Sequence, residues 1–483
     1  MFTPVHEAGR KAEEIAARVH AALFGLGDAR LRALLEQVAR EGERERLVYL
    51  HDDVKESVRV FASPVVALPD QLSYCRTVSL ALHRALKRLP DLYFADPAVR
   101  EALRLPEVEE AWLREYWTPG AREVNSVFGR HDAVCEFASP TWKESLRFLE
   151  PNMSGIGGLH FVPSADRVLA RTVLPALHAA DPALMLETAQ DIRGLLMQEL
   201  LDHLESLGRA GRTVCFVEPK YAGAGPDEQA ELARYVHDHF GLAVCHADPA
   251  ELEIAGEEVV FGGRVVDLVY RDYSVLDLLD AAEDGTDIAP MRQLFAQNRV
   301  VSSIAAELDQ KSCWEVFTDP DVVARHFDSD DRRFFRRHVP WTRVLSDRRT
   351  TLVDDRAGDL LPFVVRSREQ LVLKPNRAYG GQGVLVGAHA TEGEWQSAMD
   401  EALADSDRWV VQAAVRLPVL ELPSTTEAGG VAHEPYFVVL GFATSTYGMA
   451  ILGRASQQHV VNVARRGGIA VVVIGHPPGR VVI

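Results

Sequence analysis

The stretch Leu371-Val-Leu-Lys374-Pro-Asn-Arg-Ala-Tyr-Gly380-Gly381-Gln-Gly383-Val-Leu-Val386 places one lysine and a glycine-rich turn between two apolar runs. Both runs favour β structure, and the glycines permit positive φ and a close approach of backbone to a ligand. The pattern predicts a strand, a phosphate-covering loop and a second strand. Lys374 would contact phosphate as a point charge while N–H groups of the loop surround the remaining oxygens. An ordinary hairpin with a surface lysine is the alternative. The loop is not a Walker A loop, because the sequence contains no GxxxxGK[ST] motif.

Composition limits the classes of function. The chain has 483 residues, with 47% apolar and 25% charged residues, which is typical of a globular protein with two or three domains. Lys plus Arg number 52 and Asp plus Glu number 70, so the net charge is 52 − 70 = −18. A chain this acidic is a poor candidate for nucleic-acid or anionic-membrane binding.

The five cysteines and the N-terminus favour a cytoplasmic protein. The cysteines form no CxxC pair, and their number is odd, which predicts reduced thiols. The N-terminal residues lack the pattern of a secretory leader, and no apolar run approaches the length of a membrane span.

Hydrophobic periodicity predicts an α/β (α+β) fold in four regions. Residues 1–120 are expected to be mainly helical, with a break near Gly25–Gly27, and 121–194 to contain two strands and the start of a long helix, Leu184 to Leu207. Strand–helix–strand units in 195–300 predict an inserted parallel-sheet domain. Residues 301–345 are expected to be helical and to carry Lys311, and strands return in 346–483.

Glu150 and Asn152 form a candidate metal site. They are two residues apart at the end of a predicted strand, so their oxygens would point to one face. Mg²⁺ favours a carboxylate combined with phosphate oxygens and water. A plain strand-end turn is the alternative.

Arginines form the candidate substrate contacts. Arg130 and Asp132 are also two residues apart, and the guanidinium plane suits a substrate carboxylate. Arg271 and Tyr273 follow an apolar strand, where ligands of α/β sheets bind. Arg454 and the turn Arg465-Arg-Gly467-Gly468 could contact phosphate or a carboxylate. The alternative for Arg130 and Asp132 is a surface ion pair, and the alternative for the other two groups is a solvated loop or turn.

The order of these motifs resembles ATP-grasp ligases of the eukaryotic, circularly permuted glutathione synthetase and glutathionylspermidine synthetase group. The resemblance covers about residue 125 to the C-terminus and rests on six short motifs in the same order. The matching segments are Arg130-His-Asp132, Glu150-Pro-Asn152 with its glycine turn, Val269-Tyr-Arg271-Asp-Tyr273, Lys311, Lys374-Pro-Asn376-Arg377 with Gly380 and Gly381, and Arg454 with Gly467-Gly468-Ile-Ala470.

The resemblance assigns roles to these residues. It implies an ATP-grasp fold, ATP and Mg²⁺ as cofactors, and a homodimer. Metal ligands would be Glu150, Asn152 and, as a substitute third ligand, Asp132. Nucleotide contacts would come from Lys311, Lys374, Asn376, Gly380, Gly381, Gly383 and either Gln412 or Glu434. Arg130, Arg271 and Arg454 would act on the transferring group, and Arg130, Arg271, Tyr273, Gly467 and Gly468 would contact substrate.

Departures from the family pattern indicate a different substrate. Ala378 stands where the family has an acidic metal ligand, and the Tyr270–Tyr273 segment is two residues shorter. The predicted activity is ATP-dependent amide formation between a small-molecule carboxylate and an amine through an acylphosphate, with an amino acid, peptide or related acid as substrate. A phosphotransferase and a nucleotide-binding scaffold without turnover are the alternatives.

Overall fold

The computed structural model describes residues 4–51, 54–220, 225–226, 228–378, 380–405, 408–426, 430–461 and 467–477. These residues form a mixed α/β structure with several sheets. Across the described ranges, no helix combines the length and the apolar composition that a membrane span requires.

The N-terminal region is mainly helical, as predicted. Gly27 adopts φ 74° and separates the first two helices, which explains the break expected at this point. The helices are α1 (Pro4–Phe24), α2 (Asp28–Arg44), α3 (Pro69–Lys87), α4 (Leu89–Ala95), α5 (Pro97–Ala102), α6 (Glu107–Tyr116) and α7 (Pro119–Glu123). The strands are β1 (Val48–His51), β2 (Val54–Ser57), β3 (Arg59–Val60) and β4 (Val65–Ala67).

The next region contains the pair of strands that carries Arg130, Asp132, Glu150 and Asn152. Its elements are β5 (Arg130–Val134), α8 (Trp142–Ser145), β6 (Arg147–Asn152), α9 (Phe161–Arg171), α10 (Val173–Ala180), β7 (Met185–Thr188) and α11 (Ile192–Ser206). The prediction of one helix from Leu184 to Leu207 is wrong at its start, because β7 pairs with a strand near the C-terminus and the helix begins only at Ile192.

The predicted parallel sheet is present between residues 213 and 301. Its four strands lie in the order β10-β8-β14-β15, and every pair is parallel. The region contains β8 (Thr213–Val217), β9 (Gly225–Pro226), α12 (Gln229–Phe240), β10 (Ala243–Ala247), β11 (Glu253–Ala255), β12 (Glu258–Phe261), β13 (Arg264–Val265), β14 (Leu268–Arg271), α13 (Val275–Glu283), α14 (Ala289–Ala296) and β15 (Val300–Val301).

Lys311 lies in a turn rather than within a helix, contrary to the prediction. The turn joins a 3-10 helix, Ile304–Leu308, to α15. The elements that follow are α15 (Cys313–Thr318), α16 (Pro320–His326), α17 (Ser329–His338) and β16 (Thr342–Val344).

The C-terminal region returns to strands, as predicted. Its elements are β17 (Arg349–Thr351), β18 (Ala357–Asp359), α18 (Leu360–Arg366), β19 (Leu371–Pro375), β20 (Leu385–Val386), α19 (Glu392–Ala404), β21 (Trp409–Ala413), β22 (Val419–Thr425), β23 (Val431–Ser445), β24 (Gly448–Ser456), β25 (Gly468–Ile469) and β26 (Val472–His476). The predicted glycine-rich hairpin consists of β19 and β20, in antiparallel register with Val372 opposite Val386.

Two sheets position the site. One is a seven-stranded sheet in the order β3-β25-β24-β23-β5-β6, with β22 paired to β23. The other is a four-stranded antiparallel sheet in the order β16-β21-β19-β20. The larger sheet packs against apolar clusters on both faces, with Phe442 in one cluster and Ala443 in the other. The smaller sheet packs residues such as Leu371 and Leu373 against Trp395 of α19. Packed strands of this kind give a firm support for the side chains that line the site.

Candidate functional site

A cleft of about 790 Å³ opens where the two sheets, the Lys311 turn and the end of β14 meet. Eleven of the predicted site residues line it, although they come from segments up to 324 residues apart, from Arg130 to Arg454. They are Arg130, Asp132, Glu150, Asn152, Lys311, Lys374, Asn376, Gly380, Gly381, Gln412 and Arg454. The structure thus brings most of the predicted set together.

Lys374 is buried in the wall of the cleft without a directly bonded anion among the described residues. Its side chain leaves β19, and its Nζ donates to Gln412 Oε1 at 2.7 Å on the neighbouring strand β21. Burial lowers the pKa of Lys374 to about 8; Glu150 opposes this shift, and Lys311 adds to it. A buried ammonium of this kind is stabilised when an anion enters.

Lys311 connects the glycine-rich loop to the metal candidates. Its Nζ donates to the carbonyl oxygen of Ala378 at 2.5 Å and lies 3.6 Å from Glu150 Oε2. The lysine is buried to more than nine-tenths. Two ammonium groups and the loop therefore face the same part of the cleft.

Asn376 holds this arrangement together. Its Oδ1 accepts from Ser312 N at 2.8 Å, its Nδ2 donates to Gln310 Oε1 at 2.6 Å, and its carbonyl accepts from Lys311 N. Both amide atoms are therefore used to fix the turn that carries Lys311. Asn376 lines the cleft, and its contact with a nucleotide stays a prediction.

The glycines shape the loop between β19 and β20. Gly380, Gly381 and Gly383 have φ values of 64°, 73° and 67°, a region that favours glycine. Gly380 and Gly381 line the cleft, whereas Gly383 does not. A Cβ on Gly383 would lie 2.6 Å from Pro375 Cγ, so this glycine permits the turn rather than contacting a ligand.

Glu150 and Asn152 lie side by side on β6, as predicted. Asn152 Nδ2 donates to the Arg130 carbonyl at 3.1 Å, so its amide oxygen is the atom left for the cleft. Among the described residues no group of three His, Cys, Asp or Glu could hold a metal ion. One carboxylate with one amide fits Mg²⁺ only when phosphate oxygens and water complete its octahedron.

Asp132 is better suited to orient arginines than to bind a metal. Its Oδ1 lies 3.3 Å from Arg130 Nε, and its Oδ2 lies 2.7 Å from Arg454 Nη2. Burial raises the pKa of Asp132, but the two arginines outweigh burial and hold the pKa below its usual value. Both oxygens of the Asp132 carboxylate contact an arginine, which argues against the prediction that Asp132 is the third metal ligand.

Arg130 and Arg454 face the cleft from adjacent parts of the larger sheet. Arg130 also donates to the Gly157 carbonyl, and Gly441 on β23 makes room for it, because a Cβ there would lie 2.6 Å from Arg130 Cδ. Within the described chain, Arg454 Nε is buried without a hydrogen-bond partner. Two guanidinium groups held by one carboxylate can grip a substrate carboxylate or stabilise a transferring phosphoryl group.

Arg271 and Tyr273 do not reach the cleft, which corrects the predicted substrate contacts. Arg271 is fully buried and donates to the carbonyls of Ser302, Ser303 and Tyr273 and to the Glu307 carboxylate. Tyr273 donates to Met291 Sδ at 3.2 Å. Both side chains therefore support the wall of the cleft from within the protein.

Three further predicted contacts also lie away from the cleft. Glu434 accepts from Ser424 Oγ at 2.8 Å and from the Tyr436 hydroxyl at 3.3 Å, so it is committed to its own strand pair. Gly467 and Gly468 are buried beside β24, and Gly468 lies in β25 against β3. The predicted basic part of this turn, Arg465 and Arg466, lies outside the described residues.

Sequence reasoning missed several acidic residues of the cleft. Glu228 accepts from the N–H groups of Gly158, His160 and Phe161 at 2.6–2.8 Å. Asp309 Oδ2 accepts from Met153 N at 2.8 Å, and burial raises the pKa of this carboxyl to about 7 against the opposing Met153 bond. The only signal in the sequence was the glycine-rich turn after Asn152, whose N–H groups need acceptors.

Another part of the cleft is lined by apolar side chains. Val372, Val386 and Val439 line it with Phe437, whose ring centroid lies 4.3 Å from that of His459. His459 in turn lies 3.9 Å from His389. A flat apolar end beside two lysines can hold a heteroaromatic base whose phosphates extend towards the lysines.

Comparisons with known proteins show the fold. No family model matches the chain. A glutathione synthetase-like effector from Globodera pallida, solved in its apo form, superimposes with a TM-score of 0.64 over 93% of this chain and 98% of that chain. The identity is 13%, so this similarity establishes a glutathione synthetase-like fold and nothing further.

Curated relatives match only part of the chain. An uncharacterised protein of Mycobacterium leprae is 26% identical over 303 residues, which cover 61% of this chain and 49% of the relative. A Frankia casuarinae protein with the name "Putative glutamate–cysteine ligase 2-2" is 27% identical over 276 residues, which cover 56% of this chain and 29% of the relative. The alignments thus span half or less of these relatives' lengths.

Proposed function

We propose that the protein is an ATP-grasp ligase that joins a carboxylate to an amine, in the circularly permuted arrangement of the eukaryotic glutathione synthetases. The convergence of Lys311, Lys374, Glu150, Arg130 and Arg454 on one cleft carries the proposal. The glutathione synthetase-like fold and a relative named for a glutamate–cysteine ligase support it.

The nucleotide occupies the cleft between the two sheets. Its base lies in the apolar end beside Val372 and Phe437, and its phosphates lie at Lys374 and Lys311. The loop that contains Gly380 and Gly381 covers them with backbone N–H groups. Lys374 has no directly bonded anion in the described chain, so bound phosphate supplies the missing charge.

Glu150 and the Asn152 amide would hold Mg²⁺ together with phosphate oxygens. The bound metal would neutralise phosphate charge during transfer. Asp132, by contrast, keeps Arg130 and Arg454 in place for the carboxylate substrate. The protein contributes mainly position and charge, as in phosphoryl transfer generally.

The reaction proceeds in two balanced steps. A carboxylate oxygen of the substrate attacks the γ-phosphorus of ATP, the bond between this phosphorus and the β–γ bridging oxygen breaks, and ADP leaves. The amine then attacks the carbonyl carbon of the acylphosphate, the carbon–oxygen bond to phosphate breaks, and phosphate leaves while the amine loses a proton. Arg130 and Arg454 lie where they can compensate the charge on the transferring group.

A screen of acid and amine pairs tests the proposal. ADP release is followed with ATP and Mg²⁺, and the product mass is measured. We expect release to require both an acid and an amine, and the product mass to equal their sum minus water. Release without an amine would indicate a phosphotransferase, and no release with any pair would indicate a scaffold without turnover.

Site variants connect the activity to the cleft. Lys374→Ala is expected to lower kcat/KM at least a hundredfold, because it removes a buried cation from the phosphates. Lys11→Ala is the matched control, since Lys11 lies on α1 with a surface ion pair to Glu7. Full activity in Lys374→Ala would contradict the assignment of the phosphate site.

A further inference from the structure

At the end of β14, the side chains that face the cleft are not the ones that the family resemblance implies. Successive side chains of an extended segment alternate between two faces. Arg271 and Tyr273 point into the protein, whereas Asp272 and Ser274 line the cleft. A wall expected to offer a guanidinium therefore offers a carboxylate, and the group that it can bind changes from an anion to a cation.

Asp272 lacks a cation in direct contact among the described residues. Its Oδ2 accepts from Gln229 Nε2 at 2.6 Å. Burial raises the pKa of Asp272 to about 7; the Gln229 bond opposes this, while Glu218, Glu228 and Asp277 raise the pKa further. Several carboxylates thus surround a carboxyl that a cation would stabilise in its charged form.

Two buried polar atoms beside Asp272 have no hydrogen-bond partner in the described chain. They are the Tyr270 hydroxyl oxygen and Gln229 Oε1, and each residue is 1% exposed. Tyr270 lies on the same face of the segment as Asp272, and the charges that act on it come from Asp272, Glu228, Arg130 and Arg271. Buried polar atoms without partners are rare in folded proteins, and they mark places where a ligand can bind.

We propose that the cleft wall formed by Asp272 and Ser274, with the buried side chains of Gln229 and Tyr270 behind it, binds a primary ammonium group of a substrate; these four residues are called the recess below. An ammonium has three N–H donors and no acceptor. The wall presents the Asp272 carboxylate and Ser274 to the cleft, and the Gln229 amide oxygen and the Tyr270 hydroxyl behind them have no partner in the described chain. The inference deepens the proposed function and rests on it: one of the two ligase substrates carries a primary ammonium that is not consumed.

The position of the recess fits such a substrate. Glu228 and Arg130 contact the two ends of the Gly157–Gly158 peptide, through Gly158 N and the Gly157 carbonyl. Gly155 closes the turn beside Asp272, since a Cβ there would lie 2.9 Å from Asp272 Oδ1. One short glycine turn thus separates a carboxylate-binding arginine from the recess.

Ligand-observed NMR tests the recess without turnover. Saturation-transfer titrations of the full chain use ethylammonium chloride, with tetramethylammonium chloride as the probe that has no N–H donors, at constant ionic strength. We expect ethylammonium to bind at least tenfold more tightly, and Asp272→Asn to weaken it at least tenfold, which corresponds to about 1.4 kcal/mol. Equal binding of both probes, or unchanged binding in Asp272→Asn, would overturn the inference.

Two further variants keep the test independent of folding. Asp280→Asn removes the same charge from an exposed position on α13 and is expected to change ethylammonium binding less than twofold. Tyr270→Phe removes a hydroxyl without a partner in the described chain, so we expect an unchanged thermal midpoint and severalfold weaker binding. Weaker binding in Asp280→Asn equal to that in Asp272→Asn would show a general charge effect and overturn the assignment.

Turnover then identifies which substrate carries the ammonium. Acid and amine pairs are compared with the same pairs in which the non-reacting amino group of one partner is acetylated. We expect acetylation of the correct partner to lower kcat/KM at least tenfold in the wild type and less than threefold in Asp272→Asn. Ethylammonium binding without any ADP release would contradict the proposed ligase function and not the ammonium site. ADP release whose kcat/KM does not change on acetylation would contradict the ammonium site and not the ligase function.

Discussion

Replacing Lys374 with methionine should remove a cost to the stability of the protein at neutral pH and the pH dependence that comes with it. The same substitution should weaken nucleotide binding. The folded-state pKa of Lys374 is about 8, against an ordinary value of 10.5. Below pH 8 both folded and unfolded states hold the proton, and burying the charged ammonium costs about 3 kcal/mol at about 1.4 kcal/mol per pKa unit. Methionine of similar length removes that cost.

The pH dependence separates this cost from other effects of the substitution. Between the two pKa values the unfolded state binds more protons, so the stability of the wild type rises with pH in this window. From pH 7 to pH 9.5 the wild type should gain about 2 kcal/mol that Lys374→Met lacks. Loss of the bond to Gln412 costs about 1–3 kcal/mol, but this cost is the same at both pH values and cancels in the comparison.

Denaturant unfolding of both proteins at pH 7 and pH 9.5, with Lys11→Met as a surface control, measures this difference. ATP binding by calorimetry should be at least a hundredfold weaker in Lys374→Met and unchanged in the control. Parallel pH profiles for wild type and Lys374→Met would refute the argument, because the lysine would then be charged in the folded protein at no cost.

Three other substitutions give distinct expected results. Asp132→Asn should lower kcat for ADP release at least tenfold by releasing both cleft arginines, with less than a twofold change in the Mg²⁺ requirement; a large shift in that requirement would return Asp132 to the metal. Glu150→Gln should raise the Mg²⁺ concentration for half-maximal activity at least tenfold, with exposed Glu136→Gln as its control, and an unaltered requirement would exclude Glu150 as a ligand. Gly381→Ala would place a Cβ 2.1 Å from Val460 Cγ1 at positive φ, so calorimetry should show about tenfold weaker ATP binding, which wild-type affinity would contradict.

Local patterns predicted the hairpin and the metal pair because each is specified by a few adjacent residues. The run from Leu371 to Leu373 is apolar and rich in residues that favour strands, and the positive φ values at Gly380 and Gly381 favour glycine. Glu150 and Asn152 point to one face because their spacing is two. Such features depend on backbone geometry that a short sequence can fix.

Which side chains at the end of β14 face the cleft could not be predicted in the same way. Arg271 and Asp272 are adjacent, so they point to opposite faces, and only the register of β14 in its sheet decides which one reaches the cleft. The helix prediction at Leu184 failed for a related reason, since pairing of Met185–Thr188 with the C-terminal strand overrides local propensity. Glu228 and Asp309 were missed because their partners are N–H groups far away in sequence.

The charged groups of the cleft differ in whether the protein itself supplies a partner of opposite charge. Arg130 and Arg454 share Asp132, and Lys311 lies beside Glu150, so these cations have anions before any ligand binds. Within the described chain, Lys374 contacts a neutral amide instead of an anion, and Asp272 contacts a neutral amide instead of a cation. Burial shifts both pKa values towards the uncharged forms, so each site favours a ligand of opposite charge. A phosphate at Lys374 and an ammonium at Asp272 would each supply the missing charge. Binding of the two substrates should therefore stabilise the charged forms of both side chains.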